Sequence, residues 1–129
     1  MQRRILILFG SETGQAEAIS QQIYEQCKQH LEIIFDDLGV SLQRFCLDQS
    51  QQQFTLEKEQ TVIFIVSTTG EGDPPQNANK FFRHYRRRTL DKNLLSNLWY
   101  TLLALGDTNY ERFANFGRDL GFVSFVSLF

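Results

Sequence analysis

Cysteine is scarce in this chain, which has only Cys27 and Cys46 among its 129 residues. The two are far apart, so no CxxC pair exists, and no histidine cluster is available to complete a metal site with them. The pattern favours free, buried thiols in a reducing compartment over a disulfide. A cytoplasmic location is therefore the expectation, and no metal site is expected.

Long hydrophobic runs and an excess of positive charge are also missing. Ile5–Phe9 is too short for the hydrophobic part of a secretory signal and is followed at once by polar residues. The formal net charge of -2 excludes a globally basic nucleic-acid binder. With 42% hydrophobic and 22% charged residues, the composition is that of one soluble globular domain, without a membrane span or extensive disorder.

Short apolar runs that each lead into a polar loop are the main feature present. The runs, typical of strands buried on both faces, are Ile5–Phe9, Thr61–Val66 and Trp99–Leu105. The loops that follow them are Gly10–Ala16, Ser67–Pro75 and Gly106–Phe113. Open α/β sheets bind ligands in the loops at the carboxyl ends of their parallel strands, so these loops are the candidate site.

An amphipathic helix is predicted directly after the first loop. Its apolar positions recur at three- and four-residue steps, at Ala16, Ile19, Ile23 and Cys27. A polar, glycine-containing loop that leads into a helix N-terminus suits an anion, because the first helical N–H groups have no intrahelical partner. The loop lacks a Walker A lysine, so a terminal monophosphate fits better than a triphosphate. A simple helix N-cap by Ser11 or Thr13 is the alternative.

Two further elements are predicted. Ser41–Leu47 alternates as a short second strand, after residues 31–38, which mix apolar and acidic side chains without a clean period. Ala78–Arg88 has the spacing of a helix whose buried side is Phe81, Phe82 and Tyr85. Its arginines indicate a solvated helix end rather than a nucleic-acid motif, since cations complement the helix dipole there.

Apolar strands that alternate with amphipathic helices predict an α/β fold with βαβ units. The expected architecture is an open parallel sheet of order 2-1-3-4, with the fifth strand missing or replaced by the divergent C-terminus. In this order the three loops converge. Together they offer phosphate contacts, a glycine-rich backbone and an aromatic side chain, Tyr110. A planar heteroaromatic ligand with one phosphate fits this combination, and flavin mononucleotide (FMN) is the simplest candidate.

The same loops resemble a known family. Ser11–Ala16, Ser67–Pro74 and Leu105–Tyr110 are similar in order and spacing to the three flavin loops of the flavodoxin-like FMN domains of diflavin reductases. Further details resemble the methionine synthase reductase subfamily, including Thr69, where several other diflavin reductases have an aromatic residue. The resemblance divides the chain into a flavodoxin-like FMN-binding domain, residues 1–120, expected to be C-terminally incomplete, and a divergent apolar tail, residues 121–129.

The resemblance implies single-electron transfer rather than acid–base catalysis, with no catalytic side chain. In the family, NADPH reduces an FAD in a separate module, and the FMN domain passes electrons onward. For this subfamily the acceptor is the cobalamin of methionine synthase, which is reactivated with methylation by S-adenosylmethionine. The implied partners are therefore an FAD/NADPH reductase module and methionine synthase. This chain carries no such module, so NADPH alone should not reduce it. A monomer that binds neither nucleic acid nor membrane is expected.

The resemblance also assigns roles to residues. The first loop would hold the phosphate, the second would line the isoalloxazine, and Tyr110 would stack on a ring face. Glu71, Asp73 and Glu111 could form an acidic rim for docking. The residues expected to bind FMN are Ser11, Glu12, Thr13, Gly14, Gln15, Ala16, Ser67, Thr68, Thr69, Gly70, Glu71, Gly72, Leu105, Gly106, Asp107, Thr108, Asn109, Tyr110, Phe113 and Asn115.

Two alternatives to this interpretation remain open. The chain could be the FMN domain of another diflavin reductase, or a free flavodoxin-like carrier. It could instead be a truncated, non-catalytic product that does not retain FMN, because strand 4 would be an unprotected sheet edge.

Overall fold

The computed structural model describes residues 3–11, 14–67, 75–85, 94–105 and 126–128. These ranges contain five strands and two α-helices. In chain order they are β1 Arg3–Gly10, α1 Gln15–Leu38, β2 Val40–Cys46, β3 Thr61–Ser67, α2 Asn79–Tyr85, β4 Trp99–Leu105 and β5 Val126–Leu128. Short 3-10 turns occupy Leu47–Gln49, Leu56–Lys58 and Gln76–Ala78.

The strands form one parallel sheet of order β2-β1-β3-β4-β5. The predicted order 2-1-3-4 is confirmed. The C-terminal segment supplies a short replacement for the fifth strand, with Leu103 opposite Val126 and Leu105 opposite Leu128. The expectation that strand 4 is an unprotected edge is therefore wrong for its last residues, because the backbone groups of β5 pair with them.

Each face of the sheet carries its own hydrophobic core, because alternate strand residues point to opposite faces. One core joins Leu6, Leu8, Val62, Phe64 and Val66 to α2 and to the segment before it. The other joins Ile7, Leu42 and Ile65 to Ala16 of α1. The prediction that β1 and β3 are buried on both faces is confirmed, as the central residues of both strands are almost fully covered.

Helix α1 extends past the apolar positions that predicted it, and helix α2 can be compared with its prediction only up to Tyr85. Helix α1 runs through residues 31–38, where the apolar period is unclear, and ends at Gly39, whose φ of 67° is left-handed. Helix α2 follows the 3-10 turn Gln76–Ala78 and buries the predicted Phe81, Phe82 and Tyr85. The described part of α2 ends at Tyr85, so Arg86–Arg88 lie outside the described residues.

Two kinds of feature are absent from the same ranges. None of the helices there combines the length and the hydropathy that a membrane crossing requires. The described residues likewise contain no cluster of histidine, cysteine, aspartate and glutamate able to hold a metal ion.

We expect Phe81→Ala to lower the free energy of unfolding by about 3–5 kcal/mol, because it leaves a cavity in the core. Phe81 is 1% exposed and its ring lies 4.9 Å from that of Tyr85, measured between centroids. Urea denaturation measures the loss. Trp99→Ala is the matched control, since Trp99 is 79% exposed, and should change stability by only about 0.5 kcal/mol. Equal losses in both variants would contradict this view of the core.

Candidate cofactor site

The candidate site lies where the neighbouring strands β1 and β3 end. The chain leaves β1 for β2 on one side, whereas β3 leads to β4 on the other side, so the strand order reverses between β1 and β3. Gly10 of β1 lies opposite Val66, and Ser67 of β3 lies opposite Leu105 of β4. The loops after β1, β3 and β4 therefore begin side by side, at the point where open parallel sheets bind ligands.

The end of β1 is packed so closely that a side chain there would have to displace its neighbours by a few tenths of an ångström. A Cβ at Gly10 would lie 3.1 Å from Ala78 Cβ, 3.1 Å from Leu47 Cδ1 and 3.2 Å from Pro75 Cγ. These distances are shorter than ordinary contacts between carbon atoms. The absence of a side chain thus lets the segment that leads into α2 rest directly on the β1 backbone.

Ser11 connects this packing to the start of α1. Its backbone N–H donates to Asn77 Oδ1 at 2.9 Å, and its Oγ accepts the N–H of Gly14 at 2.9 Å. The N-cap residue of α1 is Gly14, which is left-handed with a φ of 93° and has no side-chain cap bond. A simple N-cap by Ser11 is therefore excluded, because its hydroxyl shapes the turn before the helix. Thr13 lies outside the described residues.

The first turn of α1 presents unpaired backbone donors. The first intrahelical bond runs from Ala18 N–H to Gly14 C=O at 3.0 Å, so the N–H groups of Gln15, Ala16 and Glu17 have no acceptor within the helix. The Ala16 side chain is fully buried, whereas Gln15 is exposed. Space is open around Gly14, where a Cβ would meet nothing within 4 Å. These features fit an anion held mainly by backbone groups.

Asn77 is a positioning residue that the sequence analysis missed. Its side chain accepts the Ser11 N–H, and its carbonyl accepts a bond from Cys46 Sγ at 3.5 Å. Burial raises the pKa of the Cys46 thiol above its usual value, so the thiol stays protonated and able to donate. The only sequence signal was the preceding Pro74–Pro75 pair, which fixes the backbone that leads to Asn77.

Arg44 is a second residue that the sequence analysis did not assign to the site. From β2 its Nη1 donates to Ser20 Oγ at 3.0 Å, and its guanidinium carbon lies 4.9 Å from the centroid of the Phe9 ring. The Ser20 hydroxyl donates in turn to the Glu17 carbonyl at 2.6 Å. A positive charge thus lies beside the first two turns of α1, where it adds to the field that favours an anion.

The predicted residues divide into two groups. The structure brings Ser11, Gly14, Gln15 and Ala16 together at the β1–α1 junction, while Ser67 and Leu105 end the neighbouring strands. The remaining predicted residues lie outside the described ranges and are Glu12, Thr13, Thr68, Thr69, Gly70, Glu71, Gly72, Gly106, Asp107, Thr108, Asn109, Tyr110, Phe113 and Asn115. The described part of the predicted site is therefore the β1–α1 junction with the ends of β3 and β4.

Two curated relatives are similar over most of this chain. Methionine synthase reductase from Rattus norvegicus is 37% identical over 116 residues, which cover 90% of this chain and 15% of that protein. NADPH-dependent diflavin oxidoreductase 1 from Xenopus laevis is 37% identical over 119 residues, which cover 92% of this chain and 18% of that protein. The predicted resemblance to diflavin reductases is confirmed, and the chain spans less than a fifth of either relative.

Solved flavodoxins share the fold. A cysteine mutant of flavodoxin from Pseudomonas aeruginosa aligns with a TM-score of 0.67 at 19% identity, covering 97% of this chain and 83% of the other. Fusobacterium nucleatum flavodoxin bound to flavin mononucleotide aligns with a TM-score of 0.61 at 13% identity, covering 92% of this chain and 64% of the other. The flavodoxin family model matches residues 7–122. The chain therefore belongs to the flavodoxin family.

Proposed function

We propose that this chain is an FMN-binding electron-transfer domain. The observation that carries the proposal is the Ser11–Gly14 turn, which presents the free N–H groups of α1 beside the β1/β3 boundary. The site therefore offers backbone donors and a helix dipole to a phosphate, without requiring a lysine. Membership of the flavodoxin family supports FMN as the ligand, as does the similarity to a flavodoxin bound to flavin mononucleotide.

The phosphate would lie on the N–H groups of Gln15 and Ala16, with the exposed Gln15 side chain beside it. Arg44 would stabilise the anion from the β2 side, through its contact with Ser20. By resemblance, Thr68–Gly72 and Gly106–Tyr110 would line the ring system. Bound FMN supplies the one-electron chemistry, so the protein's part is to bind, orient and shield it.

The proposed electron route runs from an FAD/NADPH module to this domain and on to the cobalamin of methionine synthase. Its support is the 37% identity to rat methionine synthase reductase. An equal identity to the Xenopus diflavin oxidoreductase favours, as the second candidate, a different diflavin reductase with another acceptor. A cytoplasmic site of action, expected from the use of cysteine, belongs to the same proposal.

We expect the purified chain to bind FMN and to become yellow, with the absorbance spectrum of a protein-bound flavin. Titrations that follow flavin fluorescence should give a Kd for FMN at least about tenfold below that for riboflavin, which lacks the phosphate. A folded protein that remains colourless with excess FMN, or that does not distinguish the two flavins, would contradict the proposed site. A colourless, aggregating preparation would favour the truncated, non-catalytic alternative.

We expect Gly14→Ala and Asn77→Ala to weaken FMN binding about tenfold while affecting riboflavin much less. The first substitution strains a left-handed residue by about 1–2 kcal/mol. The second removes the acceptor of the Ser11 N–H, which costs about 1–3 kcal/mol if that group stays buried. Isothermal titration calorimetry of each variant with FMN and with riboflavin measures how much of the lost affinity depends on the phosphate.

Each of these variants has a control of the same type. Gly39→Ala strains the left-handed glycine at the other end of α1, where a Cβ also meets nothing within 4 Å. Asn79→Ala removes an exposed asparagine two positions after Asn77. Both controls should keep the FMN affinity of the parent protein, although Gly39→Ala should lower thermal stability. A loss of FMN affinity in Gly39→Ala as large as in Gly14→Ala would show that general destabilisation causes it.

We expect the photoreduced, FMN-loaded domain to reactivate inactive cobalamin-bound methionine synthase when S-adenosylmethionine is present. The measurement is recovery of methionine formation, with full-length methionine synthase reductase as the positive control. If the domain binds FMN but fails while the control succeeds, methionine synthase is rejected as the acceptor and the second candidate is favoured.

A further inference from the structure

The side chain of Arg44 extends from β2 toward the end of the sheet at which the candidate loops begin. Its Cα lies opposite Ile7 of β1. Its guanidinium carbon lies 4.9 Å from the ring centroid of Phe9, which is two residues closer to the carboxyl end of β1. All three side chains lie on the same face of the sheet, because alternate residues share a face. The positive charge therefore lies close to the β1–α1 junction.

Two contacts hold the guanidinium of Arg44 in place. Its Nη1 donates to Ser20 Oγ at 3.0 Å, while the Ser20 hydroxyl donates its own proton to the Glu17 carbonyl at 2.6 Å. The Phe9 ring attracts the cation as well, since the two lie within about 6 Å of each other. Ser20 is fully buried and Phe9 is 7% exposed. Arg44 is therefore fixed against the packed interior, beside the second turn of α1.

The charge of Arg44 is not neutralised by a carboxylate in the part of the chain that the structure describes. There the only ion pair joins Arg4 to Glu59. A guanidinium stays protonated at every pH that proteins meet, so this charge is permanent. Arg44 is half-buried, and salt screens a partly buried charge less than an exposed one. Its field therefore reaches the start of α1, since Gly14 lies six residues before Ser20, about 9 Å along the helix axis.

A phosphate monoester is the kind of ligand whose charge such a field can distinguish. It carries one negative charge in acid and approaches two above its second pKa of about 6. A fixed cation stabilises the doubly charged form more, because the Coulomb energy is proportional to the charge. A flavin without a phosphate, such as riboflavin, has no charge there to be stabilised.

Other charged groups at this end of the sheet act in the opposite direction. Glu17 is exposed in the first turn of α1, and Asp48 lies in the 3-10 turn after β2. Glu12, in the first loop, lies outside the described residues. The nearby Cys46 thiol stays neutral, because burial raises its pKa. All of these groups are shared by variants of Arg44, so a comparison of such variants at one pH isolates the contribution of the arginine.

We propose that Arg44 is a specificity-determining residue of the cofactor site, which makes the site prefer the doubly charged form of a phosphate monoester. The inference rests on the proposed function, in which that monoester belongs to FMN. The preference for FMN over riboflavin should therefore increase from pH 5.5 to pH 8, as the phosphate gains its second charge while Arg44 keeps its own.

The test measures the Kd of the full chain for FMN and for riboflavin at pH 5.5 and pH 8. The ratio of the riboflavin Kd to the FMN Kd should rise at least about threefold in the parent between these values. The neutral variants Arg44→Gln and Arg44→Met should lower this ratio about three- to tenfold at pH 8, and less at pH 5.5, because the monoanion has half the charge. Arg44→Lys keeps the charge and should retain most of the ratio.

The matched control is Lys28→Gln, which removes a cation from the same helix. Lys28 lies eight residues beyond Ser20, about 12 Å further from the site, and its ammonium lies 5.4 Å from the centroid of the Tyr24 ring. This variant should keep the ratio of the parent at both pH values.

Phosphorus NMR of the bound FMN gives a readout that does not depend on affinity. The ionisation midpoint of the phosphate should lie at a lower pH in the parent than in either neutral variant, because the cation favours the dianion. Circular dichroism verifies the fold of each variant, and Arg44→Met retains an apolar stem on Phe9 if Arg44→Gln does not fold.

The inference is overturned if the neutral variants keep the ratio of the parent at pH 8. It is also overturned if they lose FMN affinity by the same factor at both pH values, or lose riboflavin affinity equally, because the role of Arg44 is then structural. A parent that does not distinguish FMN from riboflavin at either pH overturns the proposed function itself, and this inference with it.

Discussion

The close packing at Gly10 is the constraint on which the rest of the described site depends. With a hydrogen in place of a side chain, the end of β1 lets Pro75, Ala78 and Leu47 rest against its backbone. The segment after β3 is therefore held against the turn after β1. A methyl group at this position would push Pro75, Ala78 and Leu47 back by a few tenths of an ångström, at the boundary where the strand order reverses.

Hydrogen bonds between the same segments add to this close packing. Asn77 fixes Ser11, Ser11 fixes Gly14, and Gly14 begins α1 with its donors unpaired. Cys46 adds a bond from the end of β2 to the same asparagine. Four segments thus fix the turn before α1 and the first residues of that helix. Such preorganisation reduces the ordering cost that a ligand would otherwise have to overcome.

The two ends of helix α1 lie in different surroundings. Its first turn belongs to the predicted cofactor site, and its buried side builds the core that supports β1 and β3. In its last turns Leu31, Ile34 and Leu38 are exposed. The core therefore covers mainly the N-terminal part of the helix, because the helix is longer than the strands it covers.

The sequence by itself determined the elements whose pattern is local. Runs such as Ile5–Phe9 and Thr61–Val66 predicted buried parallel strands, and the loops after them predicted the family, because strand burial and loop chemistry depend on neighbouring residues. The length of α1 was less predictable. The apolar period becomes unclear in residues 31–38, which favours an earlier end, but no helix-breaking residue occurs before Gly39. Likewise, the apolar tail alone did not indicate which strand its last residues would join.

Only the tertiary structure decided which distant residues meet. It paired Val126–Leu128 with β4. It formed the hydrogen bond from the Ser11 N–H to Asn77, 66 positions away in the chain, and the hydrogen bond from Arg44 to the Ser20 hydroxyl. It also showed that Ser11 shapes the turn instead of capping the helix, and that Ala78, Leu47 and Pro75 pack closely around Gly10. These outcomes depend on contacts between segments far apart in sequence, whereas periodicity and loop motifs report only on the segment that contains them.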